Sequence, residues 1–342
     1  MKHFFFAALA ILAVSCNSAQ NSTSTNNIIS KEMTRTDYAN TITAEDLKTH
    51  LYIYADDKMQ GRMTGTKGQK LATEYLRNFY QNQGINSPIE KNNYYQHIPA
   101  SYFGRKSDGL DSENVVAFIK GSEKPDEIIV LSAHLDHVGT DKNGNIFNGA
   151  DDDGSGTVAI LEMAEAFQKA VKNGNGPKRS ILFLHVTGEE IGLYGSRYYT
   201  ENPIFPLENT VCNLNTDMIG RIAPEKASTP NYIYLIGSDK LSQELHDVSE
   251  MVNQTYSQLE LDYTFNDDND PNRFYYRSDH YNFAKNNIPV IFYFNGVHED
   301  YHKMTDTPDK IEYELMAKRT QLIFQTAWEI ANREERIIAD KL

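Results

Sequence analysis

Five polar clusters in this chain have the residue types that metal-assisted hydrolysis needs. In order they are His134-Leu135-Asp136-His137, Gly149-Ala150-Asp151-Asp152-Asp153-Gly154-Ser155-Gly156, Gly188-Glu189-Glu190, Asn215-Thr216-Asp217 and His298-Glu299-Asp300-Tyr301-His302. Imidazole and carboxylate are the donors zinc takes when thiolate is absent. Thiolate is scarce here: beyond Cys16 there is only Cys212, which sits in an apolar run and reads as a small buried hydrophobe. Singly each cluster is weak, because paired acids usually mark a solvated face and a lone histidine is usually a satisfied polar residue. The signal lies in the set and in where its members fall.

Each cluster follows a short apolar run rich in β-formers. Such runs occupy residues 114–119, 128–133, 181–186, 211–214, 232–236 and 290–294. Several are apolar on both faces, as buried strands of a mostly parallel sheet are. Helical patterns fall between them at 157–169, 240–257 and 311–333, with Ile160, Met163, Ala164 and Phe167 on one stripe of the first. Two earlier helices are expected, one capped by Thr43 and running to about Tyr54, the other at 68–80 with Leu71, Tyr75 and Phe79 on one face. The alternation predicts a three-layer α/β sandwich around a mixed, mostly parallel sheet. Open sheets of this kind place ligands beyond the carboxyl ends of their strands, where these clusters fall. The acidic stretch 261–273 reads as a loop or lid, and its acids at 266–270 as solvated.

Charge and composition narrow the function. The chain has 342 residues and a formal charge of −14, with 40% hydrophobic and 23% charged residues. A large core is affordable, and a general nucleic-acid binder, which needs a basic face, is excluded. At the N-terminus, Lys2 and His3 precede an apolar run that is too short to span a bilayer and stops at Ser15-Cys16. This is the pattern of an export signal over residues 1–15. Residues 13–16 resemble a bacterial lipobox, which implies lipidation of Cys16 and anchoring to the envelope, on the periplasmic face or the cell surface. A tether rich in Asn, Ser and Thr runs from 16 to 35, and a single domain from 36 to 342.

The order His134-x-Asp136, Gly149-Ala150-Asp151-Asp152, Glu189-Glu190, Asp217 and His302 resembles the co-catalytic dizinc exopeptidases, the group of secreted bacterial aminopeptidases and aminopeptidase Y. Gly61-Arg62, Gly192-Leu193-Tyr194-Gly195-Ser196 and Ser278-Asp279-His280 fit the same pattern. The resemblance implies two zinc ions and peptide substrates with a free N-terminus. Asp152 would bridge the ions, Glu190 and His302 would complete one, and His134 and Asp217 the other. Glu189 would be the general base, and Asp136 would orient His134 through a hydrogen bond. A cis peptide after Asp152 is implied as well. Tyr276, Arg277, Asp279, His280 and Tyr301 are candidate pocket residues, whereas His137 and His185 read as structural.

The chemistry is coherent. Two cations about 3.5–4 Å apart need a shared carboxylate to offset their repulsion, and water bound between them becomes a nucleophile near neutral pH. A neighbouring carboxylate takes the remaining proton and passes it to the leaving amine. Three other readings stay open: a carboxypeptidase, for which Arg221 or Arg277 would grip the terminal carboxylate; a single-zinc glutaminyl cyclase; and a metal-free binding module.

Overall fold

The structure is a computed structural model that describes Met1, His3 and residues 33–341; the export signal, Cys16 and nearly all of the tether lie outside the described residues. Its strands are β1 (Tyr95–Ile98), β2 (Ser112–Ile119), β3 (Lys124–His134), β4 (Arg179–Val186), β5 (Thr210–Thr216), β6 (Tyr232–Ile236), β7 (Glu260–Asp262) and β8 (Val290–Phe294). They form one sheet in the order β1-β2-β4-β3-β5-β8-β6-β7. The four central strands β4, β3, β5 and β8 are all parallel, while β1, β2 and β6 join antiparallel to their inner neighbours. The helices are α1 (Arg35–Ala39), α2 (Ala44–Tyr54), α3 (Lys67–Gln83), α4 (Ala100–Phe103), α5 (Gly156–Lys172), α6 (Tyr194–Glu201), α7 (Gln243–Val252), α8 (His280–Ala284) and α9 (Tyr313–Asn332).

The two-residue period of the strands divides the core between the two faces of the sheet. On β3, Ile129, Leu131 and Ala133 join the cluster that also holds the buried residues of α2, α3, α5 and α9. Ile128 and Val130 point the other way, into a second cluster with Phe283 and Ala284 of α8 and Tyr199 of α6. Strand β4 splits in the same manner, Ile181 and Phe183 against Leu182, Leu184 and Val186. Continuous apolar runs are what a doubly covered sheet requires, and the expected sandwich is the observed fold. No helix among the described residues is long and apolar enough to cross a membrane.

Local differences have physical causes. Thr34 caps α1 and Met33 packs on the core, so the folded domain begins ahead of residue 36. Helix α2 starts as expected, with the Thr43 hydroxyl accepting from the Asp46 N–H at 3.1 Å. The expected face of α3 does pack on the core, Phe79 buried and Leu71 and Tyr75 partly so, but the buried surface is wider and takes in Gln69, Thr73 and Leu76. Thr73 donates to Glu113 at 3.0 Å and Gln69 donates to Thr187, and these partners draw polar residues inward. Strands β1 and β7 were not expected. The stretch 261–273 is no free lid, since it starts within β7, which pairs with β6. Its acids are occupied locally: Asp268 pairs with Lys240, and Asp270 accepts from the Asn272 and Phe274 N–H groups.

Two histidines sit in the apolar layers. His185 of β4 meets the Tyr80 hydroxyl at 2.6 Å, and His280 stacks on Phe292 with ring centroids 4.8 Å apart. Burial lowers both pKa values to about 3. Each is neutral when folded but protonates in the unfolded chain below about 6.5, so its contribution to stability is complete above that pH and is lost toward pH 3. The expected slope is up to about 1.4 kcal/mol per pH unit per histidine. His280→Phe should make the loss of stability between pH 6 and pH 4 shallower by about that amount, read from urea unfolding midpoints across that range.

Candidate metal centre

The parallel strands bring the predicted donors to one edge of the sheet. Strand β3 ends at His134, whose Nδ1 lies 3.0 Å from the main-chain oxygen of Asp136. That carbonyl accepts the Nδ1–H and leaves Nε2 as the free donor atom, 3.1 Å from Asp152 Oδ1 and 3.5 Å from Asp217 Oδ1. The expected hydrogen bond from His134 to Asp136 is present, but the main chain of Asp136 makes it and the carboxylate does not. It lies 3.9 Å from His134 Nδ1 and instead accepts from the Thr64 hydroxyl at 2.7 Å and the Glu189 N–H at 3.2 Å. It ties the loop after β4 to the end of β3.

Three consecutive aspartates have three separate jobs. Asp151 accepts from the Gly220 N–H at 2.6 Å and faces His298 Nε2 at 3.1 Å. Asp153 accepts from the N–H groups of His134, Gly156 and Met218 at 2.9–3.1 Å. The carboxylate of Asp306 accepts the N–H of Asp151 and of Asp152 at 3.0–3.2 Å. A cis peptide joins Asp152 and Asp153. With its neighbours anchored, Asp152 alone of the three is turned toward the imidazoles of His134, His137 and His302. Gly149 opens the turn at φ +56°, and a Cβ there would lie 2.3 Å from the Asp152 carbonyl oxygen, so no larger residue fits.

The other half of the site lies across the same carboxylate. His302 Nε2 is 2.9 Å from Asp152 Oδ2 and 3.1 Å from Glu190 Oε2. The predicted donors His134, Asp152, Glu190, Asp217 and His302 are thus brought together, with Glu189 beside them on the pocket wall. Asp217 is held by Ser278, whose hydroxyl donates to Oδ2 at 2.6 Å and itself accepts from the Asn215 amide at 2.8 Å. His298 stays with Asp151, as its place in a loop suggested.

The candidate pocket residues divide. Arg277 and Tyr301 line the cavity, with Met218, Phe274, Phe292, Phe294 and Val297. Tyr276, Asp279 and His280 do not. Tyr276 is exposed and packs on Tyr275 and Tyr281. Asp279 is wholly buried, accepts from Ser196, and is pushed up to about 7 chiefly by burial. His280 lies under Phe292. Helix α8 follows Ser278 directly and turns both residues into the core, which spacing alone does not reveal. Arg221 is ion-paired with Asp300 at 2.9 Å.

The electrostatics are those of a cation site. Burial would lower the pKa of His302, but contacts with Asp152 and Glu190 outweigh it and lift it to about 10. Burial and the like charges of Glu190, Asp217 and Asp279 hold the Glu189 carboxyl well above its usual range, opposed by His134. Oδ2 of Asp152 and Oε1 of Glu190 are buried without a hydrogen-bond partner. Buried carboxylate oxygens in that state fit a cation, and imidazole with carboxylate fits zinc. His137, read as structural, joins Asp152 and Glu190 in a group that could hold a metal. Its three-residue spacing from His134 was the available signal.

Comparisons agree with this geometry. A profile of peptidase family M28 matches residues 114–327, and the chain belongs to that family. A probable zinc metalloprotease of Leptosphaeria maculans is 36% identical over 109 residues, 31% of this chain but only 24% of that protein. The match therefore spans about a quarter of that relative's length. A probable leucine aminopeptidase of Arthroderma otae is 26% identical over 269 residues, 76% of this chain and 70% of that protein. Among solved structures, an aminopeptidase of Legionella pneumophila has the same fold, with a TM-score of 0.68 at 19% identity, covering 88% of this chain and 75% of that one.

Arg62 holds the two donor loops together. Fully buried, it donates to the carbonyls of Leu135, Asn148 and Gly149, flanking His134 and Asp152, and to that of Tyr54. Leu135 keeps the Tyr54 hydroxyl and Gly149 the Gly154 N–H, but Arg62→Ala strips the buried Asn148 and Tyr54 carbonyls of this donor and should cost about 3 kcal/mol. Arg62→Lys should rescue little, because one ammonium cannot span four acceptors set for a planar fork. Urea unfolding of both variants, with zinc content measured on the same samples, checks this.

Proposed function

We propose that the protein is a zinc-dependent aminopeptidase that holds two ions and removes apolar residues from the N-termini of peptides. One observation carries the reading: Asp152 presents Oδ1 to the His134 and Asp217 side and Oδ2 to the His302 and Glu190 side. A carboxylate so placed fits the bridge that two neighbouring cations require. Bound zinc ions supply Lewis acidity, lowering the pKa of water and polarising the scissile carbonyl.

The chain's own residues do the rest. Glu189 faces the cavity next to Asp152 and Asp217. Its raised proton affinity suits a group that accepts a proton from the attacking water and returns it to the leaving amine. Its N–H is fixed by Asp136, so the carboxylate is aimed by the strand end that carries His134. Arg277 lines the same cavity, so the choice of an aminopeptidase over a carboxypeptidase is supported by the leucine aminopeptidase relative and the aminopeptidase of like fold. Phe274, Phe292, Phe294, Met218 and Val297 form an apolar wall suited to the first side chain. Export and lipid anchoring through Cys16 belong to the same proposal and rest on the sequence.

Two measurements test this. Glu189→Gln should retain the wild-type zinc content and lower turnover about 10²- to 10⁴-fold, because only proton transfer is removed; full activity would overturn the assignment. Aminoacyl chromogenic substrates with Leu, Phe or Met should be cleaved faster than those with Asp or Lys by about 10-fold or more. N-acetylated substrates should not be cleaved. Cyclisation of glutaminyl substrates in place of hydrolysis would identify a transferase instead.

A further inference from the structure

We infer that His137 is a direct ligand of the ion on the His302 side, making that half of the site richer in imidazole than the other. The inference rests on the two-ion reading above. His137 follows β3 by three residues and is 1% exposed. Its Nδ1 is 2.7 Å from Glu190 Oε1 and 3.7 Å from Asp152 Oδ2. Its ring lies edge-to-face with that of His302, centroids 5.7 Å apart.

These distances are not hydrogen bonds. Neither ring nitrogen of His137 has a hydrogen-bond partner, and neither has Glu190 Oε1 or Asp152 Oδ2. An N–H pointed at Glu190 would satisfy two of these atoms at once, yet the ring is not turned to do so. Gly149 explains why the ring stays put: a Cβ there would come within 2.5 Å of its Cγ and Cδ2, so the backbone packs directly against the imidazole. Of these four atoms, His137 Nδ1, Glu190 Oε1 and Asp152 Oδ2 come from three segments and converge without hydrogen-bonding one another, and a cation is the partner that satisfies those three.

The donor spacing agrees. Metal–ligand bonds of about 2.0–2.1 Å at tetrahedral angles put donors roughly 3.3 Å apart. His137, His302, Asp152 and Glu190 span 2.7 to 3.7 Å across the pairs given above. A neutral imidazole adds a donor without adding charge, so the balance between carboxylates and cations is unchanged. The side with His137 and His302 should bind its ion more tightly than the side with His134 alone.

X-ray absorption at the zinc edge of the purified, zinc-loaded chain counts imidazoles without any mutation. Three imidazoles shared by two ions are expected, and two would overturn the inference. Zinc affinity of His137→Ala and His137→Gln, measured against a chromophoric chelator with circular dichroism as the folding control, gives the second readout. Both variants should keep one ion at wild-type affinity and lose more than about 100-fold on the other, beyond the usual cost of an outer hydrogen-bonding partner. Glutamine can still donate a hydrogen bond to Glu190, so wild-type affinity in His137→Gln would reduce the ring to a positioning role and overturn the inference. Wild-type protein that binds fewer than two zinc ions would instead overturn the two-ion reading beneath it.

Discussion

Asp152 cannot be placed as it is without a great deal of supporting structure. A buried carboxylate is costly unless it is paired, and this one faces imidazoles on both of its oxygens in a pocket crowded with other acids. Neighbouring residues exist largely to hold it there. Asp151 and Asp153 fasten the turn to Gly220, Met218 and the start of α5, and Asp306 closes the turn from a distant loop. Arg62 pins the carbonyls of Asn148 and Gly149 ahead of the turn and that of Leu135 beside His134. The sheet contributes a common edge at which β3, β4, β5 and β8 all end.

Much of this was legible in the sequence because it follows from short-range rules. Two-sided apolar runs marked the buried strands, and the polar clusters behind them marked the edge where donors gather. The missed strands β1 and β7 are four and three residues long, flank the sheet and carry little apolar signal. The donors were readable because each requires a particular chemical type. Their orientation was not. Asp136 has the right type to orient His134 with its side chain, but its own carbonyl does so, and no residue pattern distinguishes the two. His137 looked like an incidental neighbour because the turn that brings it back onto Glu190 depends on a distant contact with Gly149.

The same limit explains the pocket. Ser278-Asp279-His280 is conspicuous as a string of reactive types, yet only its first member works at the surface of the site, by holding Asp217. The other two turn inward as α8 begins. The cavity is lined instead by aromatic residues such as Phe292 and Phe294, which their sequence pattern assigns to an ordinary core strand. They are both: β8 packs in the core and its Phe292 and Phe294 also line the cavity.

His302 differs from the other donors in how it is supported. His134 and Asp217 stand at strand ends, Glu190 in the short loop after β4 and Asp152 in a braced turn, but His302 sits in a loop at φ +54° with its side chain 39% exposed. That loop is moored through Asp300 to Arg221, Lys310 and Thr305. Among the donors His302 is therefore the one whose side chain solvent reaches most easily, and its position depends on the ion pairs of one loop. Under the two-ion reading proposed above, loosening that mooring would speed exchange of the ion on the His302 side without changing the donors that hold it.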